Sequence, residues 1–315
     1  MASGAFAAGA PQGALRRFLA SDFFWSFSHS KTAVFSLALL VLMIAAAFAA
    51  PLIAPQNPLD LAALDIADAS LPPAWEEGGT AKYVLGTDDQ GRDLLSAMLY
   101  GLRLSLVIGL TSVALSIVLG VAVGLFSGCA GGWADAFLMR VCDVMLSFPA
   151  ILVALLTDGI LRAVLRTDGG EGLTYFVLIF SITLSGWVKY ARTVRAQTLV
   201  EKDKEYVLAA RIVGAGRFTL MFRHILPNVL GPVLVLGTIH VAMAVMTEAT
   251  LSFLGVGVPP TTPSLGTLIR VGNDYLFSGE WWMTIFPGAV LVALVVAVNL
   301  LGDWLRDALD SKLEA

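Results

Sequence analysis

The run LSLVIGLTSVALSIVLGVAVGLF, Leu104–Phe126, places 23 residues in a row without one charged side chain. As a helix it would reach about 35 Å at 1.5 Å per residue, enough to cross a hydrocarbon core of about 30 Å. Gly109, Gly120 and Gly124, with Gly128 just beyond, recur at helical spacing. Small residues in that pattern let membrane helices approach closely, which is a simpler reading than a ligand role. The stretch predicts a membrane-spanning helix.

Five further stretches fit the same reading. Thr32–Ala50, Gly172–Val188, His224–Thr247 and Trp281–Gly302 carry no charge, and the fifth span continues past Glu248 toward Gly257. Val144–Thr157 is the shortest, with 14 residues between Asp143 and Asp158. Pro149 and Pro287 fall inside the third and sixth spans and predict kinks. Asp143 with Arg140 reads as an interfacial ion pair at the start of the third span. Six transmembrane helices are expected in an all-α membrane protein.

The whole chain agrees. Its 315 residues are 57% hydrophobic and 14% charged, with a mean hydropathy of +0.80. Soluble domains carry about 25% charged residues, and disordered chains need more charge and less hydrophobicity. A net charge of −4 gives no reason to expect a nucleic-acid partner. Cys129 and Cys142 suggest neither a disulfide framework nor a metal site, and His29, His224 and His240 lie too far apart for HExxH chemistry. No metal ligands or catalytic groups are expected. About 30 residues precede the first apolar run and Pro55 follows it, so a cleaved signal peptide is not expected there.

Basic residues set the expected orientation. With the N-terminus inside, the inner segments hold Arg16, Arg17, Lys31, Arg140, Lys189, Arg192, Arg195, Lys202, Lys204, Arg211, Arg217, Arg223, Arg306 and Lys312. The outer segments hold only Lys82, Arg92, Arg103, Arg162, Arg166 and Arg270. Both termini are therefore expected in the cytoplasm. The resulting plan is a cytoplasmic segment over 1–31, a first helix over 32–53 and a periplasmic loop over 54–103. A five-helix core follows over 104–303, with a cytoplasmic loop at 196–226, and a cytoplasmic tail covers 304–315.

Within that inner loop, Val200–Val213 lacks Gly and Pro and is rich in helix formers. Gly214 supplies a stop and Gly216 a second turn. Phe218–Leu226 restarts helix, and Pro227 marks entry to the fifth span. A short exposed helix with small residues at its tip suits docking on a partner.

The pattern Ala209-Ala210-x3-Gly214, followed by Ile225-Leu226-Pro227, resembles the EAA loop in permease subunits of bacterial ABC importers. This chain departs from that pattern: Leu208 precedes the two alanines, and the nearest acid, Glu205, lies three residues upstream. Pro72-Pro-Ala-Trp75, Leu85-Gly-Thr-Asp88, Gly91-Arg-Asp93, Tyr100-Gly-Leu-Arg-Leu-Ser105, Gly131-Gly-Trp133, Leu251-Ser-Phe-Leu-Gly255, Pro259-Pro260 and Asn299-Leu-Leu-Gly-Asp303 are similar, in order, to the C-type subunit of dipeptide/oligopeptide permeases. The resemblance runs from about Trp25 to the C-terminus. It implies the ABC type I importer permease fold and a pore-forming role in peptide import. It further implies a homologous second permease subunit, two ABC ATPases and a periplasmic substrate-binding protein. ATP and Mg2+ would bind the partner ATPases, since this chain contains no GxxxxGK[ST] run and is expected to hold no cofactor. Glu205, Ala209, Ala210, Gly214, Leu226 and Pro227 would form the ATPase-coupling loop.

Two other places draw notice. Glu248 lies inside an apolar span, where a carboxylate must face the bundle or water; it reads as a pathway residue or as a hydrogen-bonded structural acid. Asp88, Arg92 and Asp93 form the polar centre of the outer loop. They read as a turn leading into an N-capped helix, with a use in contacting the binding protein. Related systems that carry nickel chelates, glutathione or peptide antibiotics are the alternatives on substrate. An ion-driven secondary transporter would be a different class, and it would need more buried charge and an internal repeat. An intramembrane enzyme would need paired catalytic groups, and only His240 and Glu248 share a span.

Overall fold

The computed structural model describes residues 22–60, 62, 64–165 and 170–310. Arg16, Arg17, Arg166 and Lys312, with the rest of 1–21 and 311–315, lie outside the described residues. Ten helices carry the architecture: α1 Asp22–His29, α2 Lys31–Phe48, α3 Leu94–Ala130, α4 Gly132–Leu146, α5 Ala150–Leu165, α6 Gly170–Glu201, α7 Glu205–Ile212, α8 Leu226–Phe253, α9 Leu265–Tyr275 and α10 Trp282–Asp310. No strand occurs among the described residues, only an isolated bridge between Thr87 and Asp93.

Among the described residues, five helices are long and apolar enough to cross a membrane. They are α2, α3, the Gly172–Glu201 part of α6, the continuous Arg217–Phe253 helix ending in α8, and the Trp282–Ala308 part of α10. The expected third span differs. Instead of one helix over Val144–Thr157, α4 and α5 meet at 94° and make a sixth crossing only as a bent pair. Pro149 causes the break: it lacks an N–H, and its ring disfavours helical geometry at Phe148. The end of α4 is closed by Ser147, whose N–H and hydroxyl both donate to the Asp143 carbonyl, while the Pro149 carbonyl starts α5 by accepting from Leu152 and Val153. Asp143 pairs with Arg192 of α6 at 3.5 Å rather than with Arg140. Pro287, by contrast, sits inside a continuous α10. The carbonyl four residues before it belongs to Met283, and α9 lies against that peptide group through Gly272, where a Cβ would come within 2.5 Å of the Met283 oxygen.

Helix α3 forms the centre and runs along α6. The glycine stripe makes this contact: a Cβ on Gly120 would lie 2.4 Å from Tyr190 Cβ, and one on Gly124 would lie 2.4 Å from the Ala191 carbonyl. At one end of the bundle, Leu125, Tyr190, Val194, Val207, Leu220, Ile225, Val229 and Val233 close a core joining α3, α6, α7 and α8. At the other end, Leu94, Ala97, Met98, Leu268, Trp282 and Met283 join α3, α9 and α10.

The described residues of 54–93 have little regular structure but are firmly attached. Trp282 Nε1 donates to the Thr87 carbonyl at 3.1 Å, and Trp281 Nε1 donates to Glu76 at 3.1 Å. Gln56 Oε1 accepts from the Asp93 N–H at 2.7 Å. Helix α3 begins at Leu94, so ten residues assigned to the outer loop belong to the central helix.

Candidate functional site

Helix α7 sits at one end of the bundle. The preceding helix runs on to Glu201, and a break at Lys202–Lys204 replaces the expected uninterrupted helix from Val200. Glu201 closes that turn: its carboxylate accepts from Lys204 Nζ at 2.7 Å and from the Tyr206 hydroxyl. Burial and the Glu201 carboxylate push the Tyr206 phenol up to about 12, so it stays a neutral donor at physiological pH.

The end of α7 is a Schellman motif. Ala215 N–H bonds the Ala210 carbonyl at 3.0 Å and Gly214 N–H bonds the Arg211 carbonyl at 3.1 Å, the paired closure that a left-handed residue permits. Gly214 has φ +95°, which costs other residues strain. No atom lies within 4 Å of where its Cβ would be, so the glycine serves the backbone and leaves the tip open.

Val207 is fully buried and pins one face of α7 into the core. The opposite tip is apolar and bare, with Ile212 86%, Val213 88% and Phe218 77% exposed. Of the residues singled out from sequence, Glu205 opens α7, Ala209 is exposed, Ala210 is half-buried and Gly214 ends the helix. Leu226 and Pro227 lie on the first turn of α8, so the structure brings the six onto one helix-turn-helix unit. The apolar tip at Ile212 and Val213 went unnoticed in the sequence, although two β-branched residues before a stop glycine are its signal. Between Thr219 and α8 the chain winds as a π segment, Leu220–Ile225. The His224 carbonyl there accepts from Asn228 Nδ2 at 2.7 Å and from Tyr206 at 3.2 Å.

Glu248 occupies the other half of α8, fully buried. Ser105 Oγ donates to Oε2 at 2.6 Å and Ser252 Oγ donates to Oε1 at 2.8 Å. The hydroxyl of Ser264 also bonds this carboxylate, and Ser264 caps α9 in a reciprocal box with Thr267. One carboxylate thus ties α3, α8 and the start of α9 together. His240 is engaged elsewhere: its Nδ1 meets the Tyr190 hydroxyl at 2.9 Å on α6, and its ring lies over Gly186. The two do not form a catalytic pair.

Asp88, Arg92 and Asp93, expected to face a partner, are turned inward at 1% exposure each. Arg92 Nε pairs with Asp88 at 2.5 Å and Nη1 donates to the Pro260 carbonyl at 3.2 Å. Asp93 caps α3 by accepting the Ser96 N–H at 2.8 Å. Burying a charged pair away from water is costly unless its hydrogen bonds are complete, and here the polar cluster locks the outer segment onto the 259–264 turn. Any partner on this face would meet other residues.

Two ion pairs escaped the sequence reading. Asp158 is fully buried with Arg162 Nε at 2.5 Å, and Arg162 Nη2 also donates to the Gly257 carbonyl at 2.9 Å. Arg195 grips Asp135 with two nitrogens at 2.5 and 2.6 Å, joining α6 to α4. The first pair is an i,i+4 spacing on one helix that the sequence did offer, whereas the 60 residues between Asp135 and Arg195 and the 95 between Arg162 and Gly257 are beyond local spacing. Among the described residues, no cluster of side chains suits a metal ion.

Over residues 116–315 the chain matches the family described as binding-protein-dependent transport system inner membrane component. Over residues 14–73 it matches the N-terminal TM domain of oligopeptide transport permease C. It is 40% identical over 294 residues to the di/tripeptide transport system permease protein DppC of Pseudomonas aeruginosa, covering 93% of this chain and 92% of that protein. Identity to the dipeptide transport system permease protein DppC of Haemophilus influenzae is 39% over 293 residues, covering 93% and 95%. For the protein of that name in Escherichia coli K12 it is 41% over 294 residues, covering 93% of each chain. A solved chain from the MetNI methionine ABC transporter, inward-facing, superposes with a TM-score of 0.53 at 21% identity, covering 67% of this chain and 96% of that one. That likeness gives the fold.

Proposed function

Because this chain belongs to the binding-protein-dependent transport system inner membrane component family, we propose that it is the permease subunit of an ATP-driven importer of dipeptides and short oligopeptides. It is a multi-pass inner-membrane protein, and its family implies a partner ATPase and a substrate-binding protein. In the finer reading, it pairs with a homologous second permease to enclose the pathway. Two ABC ATPases carry ATP and Mg2+ on the α7 side, and the binding protein docks on the α9 side. This chain then supplies no chemistry of its own and holds no cofactor.

The observation that carries the substrate reading is identity of about 40% along 93% of the chain to permeases named for dipeptides or di/tripeptides. The geometry of α7 supports the coupling role. Its bare tip offers apolar surface to an ATPase cleft, while buried Val207 and the Tyr206 bonds to Glu201 and Asn228 tether the helix to both α6 and α8. A push on α7 is thereby passed to two membrane helices at once. ATPase closure would rock the bundle outward and let the binding protein release its peptide.

Uptake of labelled di-, tri- and tetrapeptides by cells lacking this chain, with and without its return, tests the substrate. Restored peptide uptake is expected. Restoration of nickel-chelate or glutathione uptake alone would overturn the peptide reading and leave the architecture standing.

A further inference from the structure

Beside α7 the bundle end opens into a cleft of about 660 Å³. Three cations line it, Lys202, Arg211 and Arg217, and no carboxylate does. Phe126, Phe218 and Met221 supply apolar wall. The ion pairs formed among the described residues leave Arg211 and Arg217 out, while Lys202 Nζ spends one donor on the Gly128 carbonyl at 3.2 Å. Neighbouring cations are neutralised, Arg195 by Asp135 and Lys204 by Glu201. Three positive charges gathered on an apolar cleft without a counter-charge call for an anion that also has an apolar part.

The position of the cleft selects the kind of anion. Helix α3 is charge-free from Leu104 to its end at Ala130, and Phe126 lies 23 residues along that stretch, about 35 Å of helix, the length that spans a hydrocarbon core. That length sets the inner edge of the hydrocarbon near Phe126, so Lys202, Arg211 and Arg217, which share the cleft with it, fall at the level of headgroup phosphates. Phe126 is 52% exposed and leads from the cleft into the acyl region. A soluble anion would satisfy the charges and leave the apolar wall wet; a zwitterionic lipid would bring its own cation against the arginines. Basic pockets at the cytoplasmic ends of membrane helices suit anionic headgroups.

We propose that this cleft is a binding site for one anionic phospholipid, its phosphate held by Lys202, Arg211 and Arg217 and an acyl chain laid along Phe126. The lipid would then sit against the base of α7, beside the turn from α6 and the π segment that leads into α8. The inference rests on the orientation that places α7 at the cytoplasmic face, where anionic headgroups can reach it.

The test uses the full chain in its detergent-purified assembly, stripped of lipid and titrated with phosphatidylglycerol, phosphatidylcholine or inorganic phosphate. Binding is read by intact-complex mass spectrometry. Phosphatidylglycerol is expected to bind in preference to phosphatidylcholine, with affinity falling about fivefold for Arg217→Ala and again for Arg211→Ala. Arg217→Lys, which keeps the charge, should retain most of the binding and checks that losses are not misfolding. Equal binding of the two lipids, an unchanged affinity in both alanine variants, or displacement of the lipid by millimolar inorganic phosphate would each overturn the assignment. Accessibility labelling of Cys129, which also lines the cleft, reports the side of the membrane separately. A cleft labelled only from outside would refute the orientation, whatever the lipid result.

Discussion

Ser105 and Glu248 are 143 residues apart in sequence and 2.6 Å apart in space, hydroxyl to carboxylate, both fully buried in the bundle. With Ser252 and Ser264 they make one acceptor serve three donors from α3, α8 and the cap of α9. Glu248→Ala would leave buried hydroxyls without partners at about 1–3 kcal/mol each, so the expected outcome is a thermal midpoint many degrees lower and loss of the assembled protein. Glu248→Gln keeps one acceptor and should fold with a modest loss. A Gln variant of native stability that transports nothing would instead make Glu248 a pathway residue.

Ile212 and Val213 test coupling without disturbing the fold. Both are almost fully exposed, so Ile212→Asp should change stability by no more than about 0.5 kcal/mol. Substrate-stimulated ATP hydrolysis by the purified assembly is expected to fall to its unstimulated level. Normal stimulation in that variant would remove α7 from the docking surface.

Gly124 marks a close approach of α3 to the backbone of α6. Its Cβ would stand 2.4 Å from the backbone oxygen of Ala191, and backbone does not swing aside as a side-chain end does. Gly124→Ala should cost about 1–3 kcal/mol by overpacking, and Gly124→Leu should abolish folding. Val118→Leu, on the exposed side of the same helix, is expected to be neutral. Expression and melting of the three variants in one membrane preparation check the contrast.

Asp68 gives the outer segment an acid-sensitive clamp. The Lys82 ammonium and the Tyr83 hydroxyl, hydrogen-bonded at 2.8 and 2.6 Å, hold its carboxyl below the usual 3.8. A carboxyl lowered in the folded state stabilises it above its unfolded value, and that contribution is lost as the pH falls through the folded one. Amide exchange across 64–93, corrected for intrinsic rate, should therefore stay protected from pH 7 down to about 5 and weaken below about 4. Asp68→Asn should weaken protection at pH 7 and erase the acid step.

Arg195 holds both oxygens of Asp135, Nε on Oδ1 and Nη2 on Oδ2, and the Ser127 hydroxyl donates to Oδ1 as well. The pair is partly exposed, so a single Asp135→Ala or Arg195→Ala should cost only about 1 kcal/mol. Arg195→Lys should recover part of it, having charge but no fork. A double-mutant cycle with no coupling energy would show the pair to be incidental.

Much of the fold was legible because membrane spans announce themselves by length and by the absence of charge. The glycine stripe of α3 announced its packing in the same way. The third span was legible in part: Pro149 announced a bend within Val144–Thr157, but only the tertiary structure shows that it is a 94° break between two separate helices. Helix α9 lies outside the charge-free runs because it is amphipathic and only eleven residues long, with a Ser264 cap, so a search for membrane spans passes over it. Of the α7 unit, the glycine stop and the restart at Phe218 were readable, while the break at Lys202–Lys204 depended on Glu201 meeting Tyr206.

By itself the sequence determined that this chain lives in a membrane, roughly where its helices cross, and which loop ends in a helix with a glycine turn. Those properties follow from partition into hydrocarbon and from backbone geometry, both of which act over a few neighbouring residues. Only the tertiary structure decided that Glu248 is a three-way tie, that Asp88, Arg92 and Asp93 face inward, that Arg192 rather than Arg140 answers Asp143, and that three unpaired cations share one cleft. Each depends on side chains from separate helices meeting at hydrogen-bond distance, a relation that packing creates and local spacing does not encode.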